Sequence, residues 1–141
     1  MKTTKLKFQI ALLVFAIGLA WSFNQKNDLL GEWQGTAFKF EQKEGPEIPA
    51  IVEGGRAMHL QSKLQLNPNK TYQMINPDGS MNGKGIWKIE ENSLILTDER
   101  QNEVSYEILK NTSNQLITAH EVGMDTPSGK VAGRILLTYG R

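Results

Sequence analysis

The sequence is expected to fold as an all-β protein, an eight-stranded antiparallel up-and-down barrel preceded by a signal peptide. Three observations predict it. From about residue 30 onward, apolar and polar residues alternate with period two in short runs separated by turn residues. No segment reads as a long amphipathic helix. Once a removable leader is set aside, roughly 115–120 residues remain, enough for one domain with one modest core.

The leader comes first. Lys2, Lys5 and Lys7 form a positive start, and Ile10 to Ala20 is an apolar run of signal-peptide length, too short to span a bilayer comfortably. Gly18-Leu19-Ala20 and Ala20-Trp21-Ser22 both offer small residues at cleavage spacing. The expected division is 1–22 as signal peptide and 23–141 as barrel domain. A retained membrane anchor is the competing reading, and the shortness of the apolar run opposes it.

Charge and cysteine usage narrow the class. Three of the sixteen Lys and Arg leave with the leader and none of the fifteen acids does, so 13 basic residues face 15 acidic ones, a net of −2. There is no basic run and no basic–aromatic interleaving, which argues against nucleic acid as a partner. The chain has no cysteine, hence no disulfide, no thiol chemistry and no lipid-anchor cysteine after the apolar run. The expectation is an exported protein, periplasmic or secreted, soluble after cleavage and without a stable membrane span.

The strands follow in order. The first runs from Leu30 to Phe40 and the second from Met58 to Leu66, where apolar and polar residues alternate almost throughout. After the turn Asn67-Pro68-Asn69-Lys70, Tyr72 and Met74 belong to the third. From Gly83 to Ile89, Gly85, Trp87 and Ile89 share one face and Lys84 and Lys88 the other. Leu94 and Leu96 follow an Asn-Ser turn, Tyr106 and Ile108 lie in the sixth strand, Leu116 to His120 form the seventh and Val131 to Tyr139 the eighth. Eight such strands joined in sequence suit closure, which removes exposed sheet edges.

The expected connections alternate in length. The odd ones, 41–57, 76–82, 98–103 and 122–130, are longer than the even ones, 67–70, 90–93 and 110–114. In an up-and-down barrel all odd connections lie at one end, which points to a closed end and a mouth.

Gly31-Glu32-Trp33 then falls at the closed end, with Trp33 at the barrel floor. Trp33, Gly35 and Ala37 share a face while Phe38 and Phe40 lie on the other, so a bulge is expected near Gly35. Here the chain resembles lipocalins and the wider calycin group, whose Gly-x-Trp opens the first strand. It is most similar to short lipocalin-like domains of exported bacterial proteins, through "LLGEW" and "GKGIWKIEENSLILT". The resemblance implies that an Arg or Lys near the last strand packs over the indole, and Arg134 in "GRILLTYG" is the candidate. Gly31, Trp33 and Arg134 are thus a structural signature, not a binding site. The resemblance also implies that the first connection folds over the mouth. Full-length lipocalins are longer and carry a C-terminal helix and disulfides, so a smaller interior, or a filled one, fits this shorter chain.

Motifs for chemistry are sparse. His59 and His120 are the only histidines and lack metal-site spacing, so no metal is expected. "NPDGSMNG" places Asn76, Asp78, Ser80 and Asn82 at alternate positions like the start of a calcium loop, but position twelve is Trp87 in place of Glu, and an Asp-Gly turn is the better reading. No nucleophile elbow, phosphate loop or paired-carboxylate motif appears, and neither an enzyme nor a cofactor is indicated.

Two readings follow. In the first, Tyr72, Met74, Trp87, Tyr106 and His120 line an interior that takes a small hydrophobic ligand, and Ile48, Ile51 and Val52 form the apolar centre of a lid hinged at Gly54-Gly55. Replacing Trp87 or Tyr106 with Ala should then weaken binding without unfolding the protein. In the second, the same aromatics fill the barrel, and loops 41–57 and 122–130 bind a protein partner, as an inhibitor or accessory subunit would.

Overall fold

A computed structural model of the chain describes residues 29–141; the leader and the proposed cleavage positions lie outside the described residues. Alternation folds as expected. Eight strands, β1 (Gly31–Glu44), β2 (Lys63–Leu66), β3 (Thr71–Ile75), β4 (Met81–Glu90), β5 (Ser93–Asp98), β6 (Glu103–Asn111), β7 (Gln115–Thr126) and β8 (Gly129–Gly140), form a closed barrel in sequence order. Every neighbouring pair is antiparallel, and β8 returns to pair with β1.

β1 makes closure possible by serving two partners. Its first residues, Gly31 to Gln34, pair with β2, and from Gln34 onward it pairs with β8. The register slips between Gly35 and Ala37, at the expected bulge. After the slip Phe38 joins Trp33 on the inner side, next to the core.

The core sits at the closed end. Trp33, Leu66, Leu94 and Leu116 are fully buried there, with Leu29, Leu64, Trp87 and Tyr139 around them. The turns that tie this end are short and locally bonded. Lys70 adopts a positive φ of 69° in the Asn67–Lys70 turn, and the Asn69 side chain accepts from the Thr71 N–H.

The first connection departs from expectation. It contains a helix, α1 (Pro49–His59), where a lid loop and the start of the second strand were predicted. β2 therefore begins at Lys63 and not at Met58. Met58-His59-Leu60 fits either element, because over three residues helix and strand periods are indistinguishable. Gly54-Gly55 is no hinge, since both lie inside α1.

A second correction concerns the far hairpin. Residues 122–130 are not a loop: β7 continues to Thr126 and β8 starts at Gly129, leaving Pro127 and Ser128 as the turn. Thr126 Oγ1 donates to the Gly129 carbonyl at 2.6 Å, and Gly129 takes a φ of +129°. The ladder holds because β1 also extends to Glu44 and gives this hairpin a partner. The contrast between the two ends thus rests mainly on one long connection, residues 45–62, which carries α1.

Candidate ligand-binding cavity

Inside the mouth lies an open cavity of about 290 Å³. Its apolar wall is Phe38 from β1, Leu64 from β2, Met74 from β3, and Ile135 and Leu137 from β8. α1 adds Gly55, Met58 and His59 from above, and Tyr106, His120 and Tyr139 supply polar groups.

α1 is held against β1 by small residues. A Cβ at Gly35 would run into the His59 carbonyl, so only glycine lets the helix end come this close. The Gly35 N–H donates to the Ser62 carbonyl at 2.9 Å and the Gln61 N–H donates to the Gly35 carbonyl at 3.0 Å. Gly55 rests on the Phe38 ring. His59, the last helical residue, is 8% exposed and donates from Nε2 to the Thr138 carbonyl at 2.9 Å. A carbonyl only accepts, so this bond places the proton on Nε2. The imidazole packs edge-on against Tyr139, with centroids 4.9 Å apart.

Burial governs the titration of the lining. It lowers His59 below its ordinary value despite the opposing bond to Thr138. It lowers His120 as well, with Glu121 acting in the opposite sense. Tyr106 is pushed up to about 12 by burial, reinforced by Tyr72, and burial raises Tyr139 too, reinforced by Tyr106. Both imidazoles are therefore neutral and all three phenols protonated near pH 7.

The sequence-predicted lining divides. Met74, Tyr106 and His120 reach the cavity. Tyr72 and Trp87, 4% and 3% exposed, lie deeper in the core and are not at its wall. Trp87 belongs to the closed end, where its Nε1 donates to the Asn67 carbonyl at 3.1 Å and Lys70 Nζ sits 4.0 Å from its ring centroid. Its replacement by Ala is thus a stability test and not a binding test. Of the lid residues, Ile48 precedes α1 and Ile51 and Val52 fall in its first turns; Ile51 is 49% exposed. Phe38, Met58, His59, Ile135, Leu137 and Tyr139 were not predicted as lining. The period-two reading of β8 was available for the last three, while the two from α1 needed the helix.

Arg134 does not cover Trp33. It lies on the outer face and bonds Glu107 at 2.7 Å, with Glu121 at 4.0 Å. The cation over the indole is Arg141, whose Cζ is 3.9 Å from the ring centroid. Arg134 pairs in register with Glu41 and Glu121, far from the floor, whereas Arg141 directly follows β8 at the closed end. Trp33 is wholly buried and donates from Nε1 to the Leu29 carbonyl at 3.0 Å. Gly31 takes a φ of +113° directly beneath the Arg141 guanidinium, 3.4 Å from where a Cβ would be. Gly-x-Trp is thus a floor tile: the indole seals the core, the arginine caps it, and the glycine makes room.

Among the described residues no group of three His, Cys, Asp or Glu gathers closely enough to hold a metal ion. Asn76-Pro77-Asp78-Gly79 is a turn, in which Asp78 accepts from the Ser80 N–H at 2.9 Å and Gly79 takes a φ of +87°. No helix among the described residues is long and apolar enough to cross a membrane.

A closed eight-strand meander around one accessible interior, floored by a capped Gly-x-Trp, defines a lipocalin-like barrel. A profile of the lipocalin-like domain matches residues 29–118, and the chain belongs to that family. Two solved structures share similarity with it, apocrustacyanin C1 (14% identity, TM-score 0.49) and lobster apocrustacyanin A1 (16%, 0.45). Each comparison covers 86% of this chain and 65% of the other, so the chain spans about two thirds of their length. No curated protein matches the sequence.

Proposed function

We propose that this chain is an exported binding protein for a small lipophilic molecule held inside the barrel, with α1 as the cover of the mouth. The observation that carries the reading is the cavity of about 290 Å³, open to solvent, apolar on most of its wall and furnished with a few polar groups. That volume lies near the lower limit of about 300 Å³ for small-molecule sites, so the ligand is small and not a long-chain lipid. Met74, Tyr106 and His120 contact it, while Tyr72 and Trp87 support the wall from below. α1, from the flanking Ile48 through Ile51 and Val52 to Met58, is the segment that moves for entry. Membership of a family of binding barrels and the absence of any catalytic motif in the sequence support binding without chemistry. Export is supported by the basic start and apolar run of residues 1–22, as a leader followed by the domain at 23–141.

Native mass spectrometry of the protein from its own export compartment, followed by solvent extraction, tests this. A bound lipophile of defined mass is the expected result. A bare protein that also takes up no apolar dye would sink the reading.

A second reading is favoured by one observation. Ile51 and Met58, seven residues apart and so on one face of α1, are 49% and 57% exposed, and Met81 at the start of β4 is 52% exposed. In this reading the mouth docks a protein partner through residues 41–57. Ile51→Glu with Met58→Glu then abolishes co-purification of a partner; an unchanged set of co-purifying proteins refutes it.

A further inference from the structure

The cavity holds polar groups without partners, and none of them carries charge. No described residue hydrogen-bonds the hydroxyl of Tyr106 or Tyr139. His120 packs against Tyr106, ring centroids 4.8 Å apart, and its Nδ1 is buried with no partner. Beneath them Thr118, 1% exposed, has an unpartnered hydroxyl in a small void bounded by Tyr106 and Tyr139. Buried polar groups are nearly always satisfied, so His120 Nδ1 and the Thr118 hydroxyl, orphaned beside the two phenols at the floor of an open cavity, mark where a ligand's polar atom belongs.

The charges around the cavity define that atom further. Lys63 is the only cation on the wall, and its Nζ is turned to Glu32, 3.4 Å away, on the outer face. Tyr72, in the core below, is raised by its burial, and Asp98 at the mouth end of β5 acts in the same sense. Asp98 is itself held ionised by bonds from Asn102 and from the Arg100 N–H. A carboxylate entering the barrel would lose water and find only neutral dipoles in its place, with no cation to pair with.

We infer that the barrel selects an uncharged lipophile with a hydroxyl or carbonyl at its inner end, and rejects the matching carboxylate. The oxygen meets Tyr106, Tyr139 and His120, and the apolar body lies along Phe38, Met58 and Met74. This rests on the reading of the interior as a ligand cavity.

The test is displacement of the neutral fluorophore N-phenyl-1-naphthylamine from the purified protein at pH 7.4, by decan-1-ol, decan-2-one and decanoate. The alcohol or the ketone displaces the probe at a concentration about tenfold or more below that of decanoate, as expected for one unpaired buried charge. Tyr106→Phe and Tyr139→Phe each weaken the alcohol about three- to tenfold relative to the probe, whose own affinity is measured for each variant as the reference. Decanoate displacing as well as the alcohol overturns the inference while leaving the cavity intact, and so does an alcohol preference that both variants leave untouched. Absence of probe uptake overturns the cavity reading and this inference with it.

Discussion

Replacing Arg141 with Ala, beside Arg134→Ala as its counterpart, asks which arginine holds the barrel floor. Arg141 stacks 3.9 Å from the Trp33 centroid. Its Nη1 donates to the Leu30 carbonyl at 2.6 Å and its Nε to the Ser113 carbonyl at 2.8 Å. A cation over an indole contributes about 1 kcal/mol, and more where the ring is as buried as Trp33. Each charged bond adds about 0.5–1 kcal/mol once exposure of the guanidinium is allowed for. Together these give about 2–3 kcal/mol for Arg141→Ala. Among the described residues Arg134 pairs with Glu107 and Glu121, which are 55% and 65% exposed. Such pairs are worth about 0–1 kcal/mol. Urea unfolding followed by tryptophan fluorescence separates the two: Arg141→Ala lowers stability by about 2 kcal/mol more than Arg134→Ala, roughly 8 °C in Tm for a domain of this size. Arg141→Lys, which keeps the charge but loses the fork, falls between wild type and Ala. An Arg134→Ala variant as unstable as Arg141→Ala would refute the assignment.

Three further outcomes follow from the same geometry. Gly35→Ala pushes the His59 backbone away and costs about 3 kcal/mol by thermal melting, whereas Gly54→Ala, with open space around its Cβ, stabilises α1 by about 0.5–1 kcal/mol; equal effects at the two sites would count against the tight α1–β1 contact. Stability falls as pH drops below about 6.5, because His59 and His120 are lowered when folded and the unfolded chain then binds more protons. That loss is read as Tm between pH 7.5 and 5, and His59→Gln flattens it; an unchanged slope removes His59 as a cause. Trp87→Ala, deep in the closed end, costs about 3–5 kcal/mol in urea unfolding, and a variant of wild-type stability would show that Trp87 is not part of the core.

Much of the barrel is legible in the residues. Alternation along Lys84 to Ile89 places Trp87 inward as observed, and the clash of phase between Trp33 and Phe38 announces the bulge at Gly35. α1 is not legible, for physical reasons. Its N-cap is Ile48, which offers no side-chain bond, and its first turn holds no acid. Gly54 and Gly55 each cost it about 1 kcal/mol relative to Ala. Pro49 at the first position, Arg56 in the last turn and the Glu53–Arg56 pair favour it locally, but weakly. Packing outweighs these deficits: Gly55 on Phe38, and His59 between Thr138 and Tyr139. The β7–β8 hairpin is hidden for a similar reason, since Glu121 to Thr126 has weak strand propensity and gains its ladder from β8, which the far end of β1 holds on the other side.

The sequence by itself determined the number and order of strands, the short turns of the closed end and the place of Gly-x-Trp at the floor, because each depends on spacings of a few residues. Tertiary structure alone decided which arginine covers Trp33, that the first connection carries a helix, and that Met74, Tyr106 and His120 face a cavity while Tyr72 and Trp87 lie in the core below. These follow from the registers accumulated around eight strands, and a slip of one residue anywhere in that circuit would exchange wall for surface.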